Sequence, residues 1–181
     1  MKCPRCGLIV TDEVPACEGC HFTIADLDKL LPKPPQQNGS VNDFAGLFSQ
    51  DEQQLLTEQL IEFSQKYAGE LVIITIQNAD PVKASEYVFW LFNRWQIGDD
   101  RHKGIAILLA EENRRVESEV GYGWEPIISD PESGEILDTV VVPQLKNGDY
   151  FSAMQTAIRE IDKLMQSNLD SISPETDSPK A

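Results

Sequence analysis

The sequence predicts an α/β fold in which a small mixed sheet is sandwiched by helices, and three observations predict it. Gly104 to Ala110 is a continuous apolar run of strand length bounded by charge, the pattern of a strand covered on both faces. After turn chemistry at 111–115, Val116, Ser118 and Val120 alternate with Glu117 and Glu119, as in a strand with one wet face, so the two strands form a hairpin. Ala84, Tyr87, Val88, Leu91, Phe92 and Trp95 recur at helical spacing and join this hairpin to an earlier β-branched strand, Leu71 to Ile76. Strand, crossover helix and strand make a parallel pair, expected to be right-handed.

Taken in order, the chain begins with all four of its cysteines, paired as Cys3-Pro-Arg-Cys6 and Cys17-Glu-Gly-Cys20. Two such knuckles can present four thiolates tetrahedrally to one zinc ion, with Gly7 freeing backbone amides to approach the sulfurs. Four protein thiolates leave no open position, so the zinc of this ribbon, residues 1–24, is structural. His21 stands where the second knuckle would usually have glycine and reads as an exposed bystander. A redox dithiol belongs at a helix start after a strand, and disulfides need an oxidising compartment; the segment shows neither context. So small a module cannot bury a core of its own, and metal binding must supply nearly all of its stability.

Residues 25–40, with Pro32, Pro34 and Pro35 followed by polar and glycine residues, read as a linker in which Leu27, Leu30 and Leu31 form a turn able to dock on either module. The main domain is expected at 41–168. Ser49 and Glu52 form a capping box for a first long helix, Leu55, Leu56, Leu60, Phe63 and Tyr67 mark its buried face, and Gly69 ends it. Asp80-Pro81 should open the second helix, which stops at Gly98. Past the hairpin, Asp130 reads as an N-cap with Pro131 at the first helical position, opening a helix through Ile136, Leu137, Val140 and Val141 that Pro143 kinks or limits. Asn147-Gly148-Asp149 breaks the chain and caps a last helix striped by Phe151, Met154, Ile158, Ile161 and Met165. Residues 169–181, rich in serine, proline and acid, read as a disordered tail.

Several short motifs, in this order, carry a family resemblance: Val41-Asn-Asp-Phe-Ala-Gly-Leu-Phe-Ser49, Trp95-Gln-Ile-Gly98, the Lys103-Gly104 strand start, Val120-Gly-Tyr-Gly-Trp-Glu125, Ser129-Asp130 and Gly148-Asp149-Tyr150. From roughly 41 to 165 the chain resembles the TPM domain family, which includes phosphatase-like proteins of the thylakoid lumen and accessory proteins of acetylcholine receptors. The resemblance implies the same sandwich fold. For part of the family it implies acid phosphatase activity and calcium binding; for the receptor-associated part, assembly with a protein partner. Many members are exported or membrane-tethered. Here no apolar run reaches the ~18 residues that span a bilayer, and cysteines stand where a signal peptide would be apolar, so a cytoplasmic protein is expected.

With 15 basic against 30 acidic residues, the net charge of -15 repels nucleic acid and anionic membranes at long range, and Lys2 and Arg5 are too few to make the ribbon a nucleic-acid reader. There is no nucleophile elbow, no phosphate loop with lysine, no cysteine beyond the ribbon, and one histidine, His102, in the main domain. A hydrolase would therefore need carboxylates and Ca2+ or Mg2+. Asp43, Glu125 and Asp130 are the candidates, lying in loops near strand ends where α/β folds place ligands. Gly121 and Gly123 would let backbone approach a ligand, with Tyr122 or Trp124 as a wall. Each of these residues also has a structural reading, as cap, turn or packing residue. Two functional readings stand: a non-catalytic binding or assembly module with a structural zinc ribbon and a protein partner, and a metal-dependent phosphatase-like hydrolase of phosphomonoesters. The absence of a complete catalytic signature leans toward the first.

Overall fold

Four strands form one sheet in the order β1 (Val41–Asp43), β2 (Glu70–Ile76), β3 (Gly104–Ala110) and β4 (Arg115–Val120), seen in a computed structural model that describes residues 2–9 and 16–172. β1, β2 and β3 run parallel, and β4 returns antiparallel to β3 with Val120 opposite Ile105. The expected hairpin and parallel pair are both present. β1 is an addition: three residues at the sheet edge carry too little periodicity to be seen in the sequence.

Among the described residues six α-helices accompany the sheet: α1 (Ile24–Asp28), α2 (Gln50–Tyr67), α3 (Ala84–Trp95), α4 (Asp130–Ile136), α5 (Val142–Leu145) and α6 (Tyr150–Ile172). Side chains alternate across the sheet. Leu71, Ile73, Ile105 and Ile107 pack with α2 and α6 on one face; Val72, Ile74, Ala106 and Leu108 pack with α3 on the other. α2 connects β1 to β2 and α3 connects β2 to β3, two steps in the same direction with helices on opposite faces. The two crossovers are therefore of opposite hand, whereas two right-handed ones would have put both helices on one face.

Local corrections follow from what each residue meets. α2 buries Leu56, Leu60, Phe63 and Tyr67, while Leu55, one residue off the stripe, is exposed. Its left-handed end is Ala68 (φ 50°), and Gly69 is needed for another reason: a Cβ there would lie 2.1 Å from the Trp124 ring. α3 starts at Ala84, with Asp80-Pro81 in the turn before it. Ser129, whose Oγ accepts from the Glu132 amide, is the N-cap of α4, and Asp130 is the first helical residue. The helix then passes through a π segment, Leu137–Val141, closed by the Val142 amide donating to the Leu137 carbonyl. This widening falls just before Pro143, whose ring would strike the carbonyl four residues back in a regular helix. Asp149 caps α6 by accepting from the Ser152 amide, and α6 continues to Ile172, into the stretch expected to be a disordered tail. Residues 173–181 lie outside the described residues.

The face of β4 expected to be wet is covered. Glu119 stands opposite Ala106 and Glu117 opposite Leu108, on the α3 side, where the ribbon residues Lys2 and Cys3 also lie. Glu119 is buried and Glu117 half-buried.

Candidate metal centre and the dispersed carboxylates

The two cysteine knuckles fold alike. Amides of Gly7 and His21 donate to the carbonyls of Cys3 and Cys17, and the Cys3 and Cys17 amides donate to Leu8 and Phe22, all at 2.8–2.9 Å. Gly7 (φ 79°) and His21 (φ 56°) occupy the same left-handed turn, so the histidine bears a backbone strain that glycine does not. His21 is exposed and outside the thiol cluster.

All four Sγ atoms lie within 4.8 Å of one another. Cys3 and Cys20 are 3.7 Å apart and Cys6 and Cys17 3.6 Å, too far for disulfides. A tetrahedron with the usual Zn–S distance has an edge of about 3.8 Å, so the spacing fits a metal of that class. Amides of Cys20 and Gly19 aimed at Cys17 draw its thiol down to about 7. The Phe22 amide also favours the Cys20 thiolate, but burial and the neighbouring sulfurs outweigh it and push Cys20 up to about 12. Four thiols this close cannot all ionise without a cation among them.

The ribbon is fastened to the sheet domain. Arg5 pairs with the buried Glu86 of α3 at 3.0 Å and lies 4.5 Å over the Phe22 ring, and Phe22 packs on Phe89. The Lys2 amide donates to Asp130 Oδ2 at 3.1 Å. α1 docks on the same helix: Leu27 and Leu31 are buried, and Asp28 accepts from Trp90 Nε1 and pairs with Arg94. Leu30 is exposed. The proline-rich segment is tied down too, with Trp95 Nε1 donating to Pro35 and Gln37 to Glu70. In consequence α3 is buried on both sides, and Trp90 is 1% exposed. The uninterrupted apolar run from Tyr87 to Phe92 is the sequence signal for this, since a helix apolar all round is covered all round.

Two of the three candidate carboxylates, Asp43 and Asp130, lie at opposite ends of the sheet. Asp43 stands in β1 beside the carboxyl end of β2, accepting from the amides of Leu47 and Phe48 and from Thr75 Oγ1. Asp130 holds the Val120 amide at the other end of the sheet, where Val120 faces Ile105. Thr75 and the Leu71–Ile105 level are four residues apart, roughly 13 Å along the strands. Glu125 lies in the turn after β4, its amide donating to Gly121. Among the described residues only the four cysteines form a cluster able to hold a metal ion. In the loop at 121–124 the glycines allow close backbone packing: a Cβ on Gly121 would lie 2.3 Å from the His102 carbonyl oxygen, and one on Gly123 2.2 Å from that of Arg101. Trp124 is buried against Phe63, and Tyr122 stands edge-on to His102.

Residues 41–164 match the TPM domain. The chain belongs to the TPM domain family. Three solved structures share its fold. The N-terminal domain of a protein from P. gingivalis is 22% identical, with TM-score 0.66 over 72% of this chain and 83% of that one. The N-terminal domain of the cg2496 protein of Corynebacterium glutamicum is 14% identical, with TM-score 0.57 over 81% and 91%. The BA42 protein of the psychrophile Bizionia argentinensis is 12% identical, with TM-score 0.58 over 67% and 83%. No curated protein matches the sequence. The cysteine ribbon precedes the matched TPM region. No helix among the described residues is long and apolar enough to cross a membrane.

Proposed function

We propose that this TPM-domain protein is a non-catalytic binding or assembly module whose ribbon holds one structural zinc through Cys3, Cys6, Cys17 and Cys20. One observation carries the reading: the thiols converge at tetrahedral spacing, while Asp43 and Asp130 sit at opposite ends of the sheet with their oxygens engaged by backbone amides. A metal-dependent phosphomonoester hydrolase needs its carboxylates in one cleft to share a cation and an attacking water. Exposed Leu8 and Ile9 on the ribbon suit contact with a protein partner. Reduced thiols at zinc-ribbon spacing suit the cytoplasm.

The test is hydrolysis of p-nitrophenyl phosphate by the zinc-loaded full chain in millimolar Ca2+ or Mg2+, beside Asp43→Ala and Asp130→Ala. No turnover above the metal-only control is expected. Turnover that either folded variant abolishes would overturn the non-catalytic reading.

A further inference from the structure

A cleft of about 860 Å3 opens at the carboxyl ends of β2 and β3, on the face that α6 covers. That is the size of a small-molecule site, roughly 300–1,000 Å3, at the strand ends where α/β sheets bind ligands. Its floor is apolar, formed by Leu109, Val116, Val142 and Leu145. Arg114 and Lys146 stand exposed at its rim, and among the described residues neither is paired with a carboxylate. The two glutamates of the cleft are engaged: Glu111 accepts from the Tyr150 hydroxyl at 3.4 Å and Glu112 from the Asn78 amide at 2.8 Å.

Two backbone irregularities shape this cleft. Arg114 takes a left-handed conformation, φ 53°, in the turn between β3 and β4. The π segment comes immediately before Val142 and so sets how Val142, Leu145 and Lys146 present to the cleft. Both cost energy relative to regular backbone, and such irregularities gather at ligand sites.

We propose that this cleft binds a small amphipathic organic anion, its acidic head between Arg114 and Lys146 and its apolar body on Leu109, Val116, Val142 and Leu145. This rests on the reading of the chain as a binding module. The planar guanidinium matches a carboxylate or a phosphate head, each able to accept two parallel hydrogen bonds. Arg114 and Lys146 balance the charges of Glu111 and Glu112 within the cleft, and repulsion from the more distant carboxylates of the -15 chain is screened beyond about 8 Å at physiological salt, so the net charge does not forbid an anion here.

The experiment is an amide-resonance titration of the zinc-loaded full chain with octanoate, octyl phosphate, octan-1-ol and octylammonium. Saturable shifts confined to residues 109–116 and 142–150 are expected from an anion, with the alcohol and the ammonium binding at least about tenfold more weakly. Arg114→Gln and Lys146→Gln should each weaken the anion by about tenfold with the remaining spectrum unchanged. The ratio between octanoate and octyl phosphate assigns the head group. The proposal is overturned by the absence of localised shifts, by equal affinity for the alcohol, or by affinity unchanged in both variants. Conversion of octyl phosphate to octanol and phosphate would instead overturn the non-catalytic reading, so the two failures are distinguishable.

Discussion

Glu119 shows how one residue can defeat a pattern. Alternation along β4 makes it a solvent-facing acid, but α3 and the ribbon cover that face, and Glu119 Oε1 is buried with no hydrogen-bond partner among the described residues. Burial first, and the nearby Asp130 carboxylate second, hold its carboxyl well above the usual range. The folded state therefore binds a proton that the unfolded chain releases, so this contribution to stability is complete below the unfolded value near 4.5 and is lost as pH rises through the folded one. Glu119→Gln removes the ionisable group. Its unfolding free energy, measured in denaturant, should gain on that of the unmodified chain between pH 5 and pH 8 by more than about 1 kcal/mol, because each pH unit between the unfolded and folded values of Glu119 costs the unmodified chain about 1.4 kcal/mol. A gap that stays constant with pH would refute this account of Glu119. The carboxylates Asp43 and Asp130 teach the complementary lesson: their types suited a cation, but which end of the sheet each reaches depends on strand order.

At the scale of elements, α3 is the hinge of the architecture, covered by the sheet on one side and by α1 and the ribbon on the other. The sequence made its inner stripe plain, and Ala84, Val88, Leu91 and Phe92 are buried as expected. Its outer face was legible only in the density of aromatics from Tyr87 to Trp90, because what covers a helix lies elsewhere in the chain. The capping boxes at Ser49 and Ser129 illustrate the local limit: a three-residue spacing locates a helix start, whereas the choice between Ser129 and Asp130 turned on an amide contact from β4. If the thiol cluster needs its metal to fold, a strong chelator should loosen the ribbon from α3 and wet Trp90. Tryptophan emission should then shift to the red, and this shift should be largely lost in Trp90→Phe, leaving Trp95 and Trp124 as reporters. Emission unmoved by metal removal would mean that the ribbon stays docked without it.

Across the whole molecule, the ribbon and the TPM domain form one packed body rather than two beads on a spacer. Arg5–Glu86, Lys2–Asp130 and Asp28–Trp90 join them through contacts between residues at least 60 apart in sequence. Spacing within the chain reveals strands, helices and cysteine knuckles, all of them local. It says nothing about docking, and equally little about the opposite-handed crossovers, since handedness is a property of layers. The cleft at Arg114 and Lys146 is not legible in the sequence for the same reason: a turn and a helix end meet only once the π segment has been built. What the account asserts most strongly is a single tetrahedral thiolate site in a ribbon that is otherwise too small to fold. Cobalt(II) titration of the metal-free full chain tests it most directly. The intense thiolate-to-cobalt charge-transfer absorption should rise, with tetrahedral ligand-field bands, to an end point of one equivalent, and zinc should bleach it. Weak octahedral absorption, no charge-transfer band, or an end point beyond one equivalent would contradict the account.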